Sequence, residues 1–265
     1  MKELVFVGLG LNDERGISVK GLEATKTADN VFMETYTSLM PDFSLQRFEA
    51  LCGKKVQVIE RRVLEEENGK VILEAAKTGK TAFLVPGDPF IATTHVTLRI
   101  DAEKQGIHTR IVHGTSIMSA IVSLSGLHNY KFGKTVTVPF PENFSATPYN
   151  VIAQNKTWGL HTLCLLDLHS AENQFLGINQ ALKMLLEVEE KNKKGAVTPE
   201  TVALGVARAG SDNPTLKADF VGSLANFDFG PPPFSLIFPG DLHFMEAEAL
   251  IAFAAAPAAF RRLSK

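Results

Sequence analysis

Cysteine is scarce: the 265-residue chain holds two, Cys52 and Cys164, too few for a disulfide framework. Cys164 lies in the apolar run 161–167, where a thiol packs as a small hydrophobe. A reducing, cytosolic setting is expected. An excess of charge is also lacking. Lys and Arg total 27 and Asp and Glu 29, a net −2 with neutral His. That balance speaks against a protein that binds nucleic acid by broad phosphate neutralisation. Long apolar runs are missing too. The longest stretch free of Asp, Glu, Lys and Arg, 111–130, contains four serines and two histidines, so no membrane span is expected. The apolar start 4–11 lacks the cleavage site of a signal peptide. The seven histidines include no HExxH spacing, and neither a Lys-Ser/Thr phosphate loop nor a serine nucleophile elbow occurs. No metal is expected, and no catalytic base stands out.

What is present is an alternation. Short β-rich runs at 4–8, 30–33, 55–59, 81–86, 109–112, 135–138, 162–166, 202–207 and 235–238 are separated by runs of helical period. Several strands are nearly continuous apolar runs, as expected where both faces are covered. Helices are predicted over 18–28 with Ser18 as N-cap, 45–52 stopped by Gly53, and 92–105 stopped by Gly106. Ile178, Ala181, Leu182, Leu185 and Leu186 give the clearest helical stripe. The reading is an α/β chain of two lobes, 1–114 and 115–265, with a mostly parallel first sheet and a mixed second sheet.

In open parallel sheets ligands bind beyond the strand C-termini. Small and polar residues follow the apolar runs at Gly8-Leu-Gly-Leu11, Gly87-Asp-Pro89, Gly114-Thr-Ser116, Asp167, Arg208-Ala-Gly210 and Gly240-Asp-Leu-His243. These loops are expected to wall one pocket. Gly8-x-Gly10 resembles the start of a dinucleotide fingerprint, but Asp13 stands where its third glycine belongs and would oppose a pyrophosphate. In Pro86-Gly-Asp-Pro-Phe90, Gly87 permits positive φ while Pro89 pushes Asp88 toward an extended conformation. That makes a stiff turn presenting one carboxylate. Thr93 and Thr94 read as helix-entry hydroxyls, Ser116 as an N-cap, and His243 as either a cap or a pocket residue.

Taken together, Phe6-Val-Gly-Leu-Gly-Leu11, Glu34-Thr-Tyr-Thr-Ser38, Gly87-Asp-Pro-Phe90 with Ala92-Thr-Thr-His95, Ser116-Ile-Met118, Tyr130-Lys-Phe-Gly133, the 161–167 run, Ala207-Arg208 and His243-Phe-Met-Glu246 resemble the diphthine synthases. The likeness covers almost the whole chain. Thr-Thr-His and Tyr-Lys-Phe-Gly set it apart from the tetrapyrrole methyltransferases, which share the fold. The resemblance implies a tetrapyrrole methylase-like fold and a homodimer with S-adenosyl-L-methionine in a cleft between the lobes. The implied acceptor is a modified histidine of translation elongation factor 2. It also implies donor contacts at Leu11, Asp88, Ile91, Ser116, Ile117, Leu166, Ala209 and His243. Val122 departs from the family glycine, and Ile91 and Ala209 occupy variable positions. The insertion after Asp167 that marks eukaryotic members is missing, which favours the archaeal type and three methyl groups on one nitrogen. Alternatives are a tetrapyrrole methyltransferase, an NAD-dependent oxidoreductase and a module that only binds elongation factor.

Overall fold

A computed structural model describes residues 2–264, and of Ala171 the backbone alone. The chain divides into two compact units, Met1–Ser119 and Ala120–Lys265.

The first unit contains β1 (Glu3–Gly8), α1 (Val19–Lys26), β2 (Asn30–Glu34), α2 (Leu45–Cys52), β3 (Gln57–Ile59), α3 (Arg61–Glu65), α4 (Lys70–Thr78), β4 (Lys80–Val85), α5 (Val96–Lys104) and β5 (His108–Val112). The helix α6 (Ile117–Ser125) carries the division between the units. The sheet order is β3-β2-β4-β1-β5 and every ladder is parallel. Central β1 is buried at all six positions, which explains its unbroken apolar run. Alternate side chains serve opposite layers: Val5 and Val7 pack with Ala24 and Phe48, while Leu4 and Phe6 pack with Ile72 and Leu98. Burying one such side chain contributes about 1.5–3 kcal/mol, so both layers pin the register.

Local signals end the helices where expected. The Ser18 hydroxyl accepts from Gly21 N–H at 3.1 Å, and Gly53 closes α2 at φ +67. The helix predicted over 92–105 starts later, at Val96. Ala92 takes φ +55, and the Thr93 hydroxyl donates to the Pro89 carbonyl at 2.9 Å. Thr93 thus braces the preceding loop instead of capping α5.

The second unit contains β6 (Val136–Val138), α7 (Thr147–Thr157), β7 (Thr162–Leu166), β8 (Leu168–His169), β9 (Gln174–Phe175), α8 (Ile178–Asn192), β10 (Val202–Ala207), β11 (Thr215–Phe220), α9 (Val221–Leu224), β12 (Phe234–Phe238) and α10 (Phe244–Ala254). Its main sheet runs β11-β10-β12-β7-β6, and only the β6–β7 ladder is parallel. It is the expected mixed sheet. The α8 stripe turns Ile178, Ala181, Leu182 and Leu185 into the core. Strand β11 was not predicted; Ala218 is its one buried residue, so it offers no apolar run. No helix among the described residues is long and apolar enough to cross a membrane.

Candidate functional site

Because β1, β4 and β5 are adjacent and parallel, their C-terminal loops meet at one edge of the first sheet. The approach is backbone to backbone. A Cβ on Gly8 would fall under 3.0 Å from Gly114 N and Gly87 O, and one on Gly114 would meet Gly87 O and Gly8 Cα. Gly10 and Gly87, both at positive φ, exchange two backbone hydrogen bonds of 3.2 and 2.7 Å. The glycines of Gly8-x-Gly10 therefore seat the neighbouring loop. Asp13 accepts from Arg15 N–H at 2.9 Å and pairs with its guanidinium at 2.6 Å. A carboxylate held in that way gives no support to a dinucleotide reading.

This seam assembles the expected donor residues of the first unit. A Cβ on Gly87 would lie 4.0 Å from Leu11 Cδ2, 3.9 Å from Thr115 O and 4.0 Å from Ser116 Cα, so two segments face one turn. Ile117 opens α6 immediately beyond. Ile91 N–H donates to the Asp88 carbonyl at 3.3 Å, placing Ile91 on the same turn. Asp88 is 8% exposed. Its Oδ1 accepts from Phe90 N–H at 3.1 Å, and its Oδ2 lies 2.8 Å from His113 Nδ1. His113 reaches Asp88 from the end of β5, a partner that local sequence did not reveal. The result is a carboxylate fixed from two sides beside a small open turn lined by Leu11 and the start of α6.

In the second unit Leu166 ends β7, and Ala209 follows β10. Arg208 takes φ +54, donates its N–H to the Pro233 carbonyl at 2.8 Å, and sends its guanidinium to Pro231 O and Thr215 Oγ1, each at 2.9 Å. The loop that carries Ala209 is thereby fixed. Ala207 pairs with Phe234, and Leu165 pairs with Ser235. Leu166, Ala209 and Phe234 therefore share one edge of the sheet.

His243 does not join them, and this corrects the expectation of one shared pocket wall. Strand β12 runs antiparallel to both β7 and β10, so its C-terminal end emerges at the opposite edge, where Phe238 pairs with Thr162. His243 is the N-cap of α10. Its Nδ1 accepts from Met245 N–H at 3.3 Å, its own N–H donates to Glu246 at 2.8 Å, and its carbonyl accepts from Glu246 N–H. Nothing in the local pattern announces the direction of a strand, and Phe234 of β12, not His243, shares the edge of Leu166 and Ala209.

The opposite edge carries its own polar cluster. Glu246 is fully buried; Oε1 accepts from His128 N–H at 2.8 Å and His161 Nε2–H at 2.9 Å, while Oε2 accepts from His243 N–H and Lys131 Nζ. His161 Nδ1 accepts from Gly240 N–H at 2.9 Å, which fixes the proton on Nε2. Burial pushes the Glu246 carboxyl up, but its hydrogen bonds outweigh that and hold it at about 2. Burial likewise pushes His161 below its usual range. This cluster ties α10 to the segments before β6 and β7. Among the described residues, no group of three or more His, Cys, Asp or Glu is placed to hold a metal ion.

Residues 3–218 match the model of the tetrapyrrole (corrin/porphyrin) methylases. The chain is 48% identical to a diphthine synthase of Methanosarcina mazei, over 96% of this chain and 97% of that protein. It is 45% identical to a diphthine synthase of Methanocaldococcus jannaschii, over 93% and 97% respectively. A crystal structure of diphthine synthase superposes with a TM-score of 0.89 at 43% identity, covering 98% of this chain and 99% of that one.

Proposed function

The chain belongs to the diphthine synthases, within the tetrapyrrole methylases, and is a methyltransferase of diphthamide biosynthesis; from that premise we propose its donor, acceptor and contacts. The donor is S-adenosyl-L-methionine, released as S-adenosyl-L-homocysteine. The acceptor is the amino group of the aminocarboxypropyl-modified histidine of translation elongation factor 2, methylated three times by a homodimeric enzyme. The observation that carries the reading is the glycine seam that sets the Gly87–Asp88 turn beside Leu11 and Ser116.

When bound, the sulfonium donor supplies an activated methyl group with a good leaving group. The chain has to position and shield. Asp88, braced by His113 and Phe90 N–H, orients a polar end of the donor and balances its charge. Leu11, Ile91 and Ile117 offer apolar contact at the same turn. For the second unit the proposed contacts are Leu166 and Ala209, to which we add Phe234 because it shares their edge of the sheet, whereas His243 lies at the other edge. Such positioning contributes about 7–11 kcal/mol. Deprotonating an amine one to three units above ambient pH costs about 1.4–4 kcal/mol. Positioning is the larger effect, so a strong base is not required.

Incubating elongation factor 2 that bears the unmethylated modified histidine with enzyme and donor is expected to add three methyl units by mass spectrometry. No increment would sink the reading. Calorimetry is expected to show binding of S-adenosyl-L-homocysteine and none of NAD. Asp88→Ala removes the acceptor for both His113 and Phe90 N–H, so the affinity for S-adenosyl-L-homocysteine is expected to fall at least about tenfold, or ~1.4 kcal/mol. Full affinity in that variant would remove Asp88 from the donor site.

A further inference from the structure

A cavity that the donor contacts leave unused lies in the first unit, where the end of α3 meets the start of α5. It has a volume of about 230 Å³, with Leu64 and Leu98 as apolar walls and Glu65, Asn68, Thr94, His95 and Thr97 as polar ones. A cavity of about 150 Å³ already admits benzene, so there is room for a short functionalised side chain.

His95 is 2% exposed, and its Nδ1 lies 3.1 Å from the Pro89 carbonyl oxygen. A carbonyl oxygen only accepts, so Nδ1 carries the proton and Nε2 carries a lone pair. No group among the described residues donates to Nε2. Burial pushes the imidazole below its usual range, against the Pro89 hydrogen bond and the charge of Glu65, which disfavours a second proton on Nε2. An unpaired buried acceptor is unfavourable, and a ligand N–H would relieve it. Glu65 is anchored by Arg61 at 2.9 Å, and its charge acts on both His95 and Tyr36. The Tyr36 hydroxyl is a second buried polar atom without a partner among the described residues.

An acceptor nitrogen with a carboxylate beside it suits a ligand that has N–H groups and positive charge. A free carboxylate has no proton to give Nε2, and an anion would face the charge of Glu65. We propose that this cavity is an amine subsite, in which His95 Nε2 accepts an N–H of the acceptor's amino group and Glu65 supplies the countercharge; that this amine is the methyl acceptor rests on the methyl-transfer reading above. His95 is bonded to Pro89, the residue after Asp88, so the subsite is fixed to the same turn as a donor contact.

His95→Asn separates the two ring nitrogens. The asparagine amide nitrogen can replace Nδ1 and keep the bond to Pro89, while nothing replaces Nε2. Glu65→Gln, at an exposed position, removes the countercharge without touching the core. Each variant is expected to raise KM for the modified elongation factor at least tenfold and to change S-adenosyl-L-homocysteine affinity less than twofold. In the wild type, the ¹⁵N resonance of His95 Nε2 is expected to move with L-2-aminobutyrate and to stay fixed with butyrate, which lacks the amine. An unchanged KM in both variants, or a resonance indifferent to aminobutyrate in an enzyme that methylates, overturns the subsite. A resonance that moves in an enzyme that leaves elongation factor 2 unmethylated supports the subsite and overturns the methyl-transfer reading instead.

Discussion

Gly114→Ala is expected to destabilise the chain by about 3 kcal/mol or more, and Gly106→Ala by only about 1 kcal/mol. Both residues follow apolar strand or helix runs, and sequence alone would rank them together. Gly106 takes φ +70 in open space, so an added Cβ meets backbone strain and no atom. At Gly114 the Cβ would fall on Gly87 O and on the backbone of Gly8. Those are backbone atoms of central β1 and of the turn after β4, which cannot swing aside as a side chain does, so the seam beneath Leu11 and Asp88 must open. Urea denaturation with unchanged m-value checks both figures. Equal midpoints for the two variants would show that the seam is looser than described. Donor affinity should fall in Gly114→Ala and persist in Gly106→Ala.

The second large effect is at Glu246. Removing its side chain leaves Lys131, His161 and two backbone N–H groups without their acceptor, and Glu246→Ala is expected to cost about 3–5 kcal/mol at pH 7. The pH dependence follows from the direction of the shift. The folded carboxyl is held at about 2, below the usual value of 4.5 that it regains on unfolding. A depressed carboxylate stabilises the fold fully above the unfolded value and loses that contribution as pH falls toward the folded one. The contribution is about 3 kcal/mol at ~1.36 kcal/mol per unit. The stability gap between wild type and Glu246→Gln should therefore stand at pH 7 and narrow between about pH 4.5 and 2. A gap that is flat across that range would mean that shape, not charge, holds α10.

Much of the fold was legible because its strands are buried on both faces. The runs that became β1, β4, β7 and β10 are nearly continuous apolar stretches, and Ser18 and Gly53 mark helix ends by local chemistry. What stayed hidden was set by partners distant in sequence. Strand β11 gains its place from pairing with β10 and carries no apolar run of its own. The sequence predicts that the Ala92–His95 stretch opens a helix, yet bonds to the Pro89 carbonyl hold it as a loop. In the site, the Asp88 turn could be read from glycine and proline, whereas His113 lies 25 residues away. His243 was misplaced for a related reason. Strand direction is a property of the sheet, and the same Pro-Gly-Asp tripeptide follows a parallel strand at 86–88 and an antiparallel one at 239–241.

The position of β12 also bears on how the chain is made. Every strand of the first sheet has left the ribosome by Val112, and each has its neighbours, so that unit can close while synthesis continues. In the second sheet β7 and β10 do not touch; β12 lies between them and is the last strand to be synthesised. Until Phe238 emerges, two apolar strands present open edges to each other with nothing to join them. The pairs β10–β11 and β6–β7 can form earlier, but the sheet that joins them is completed late. Glu246, arriving only eight residues after the end of that strand, is the clasp that closes it.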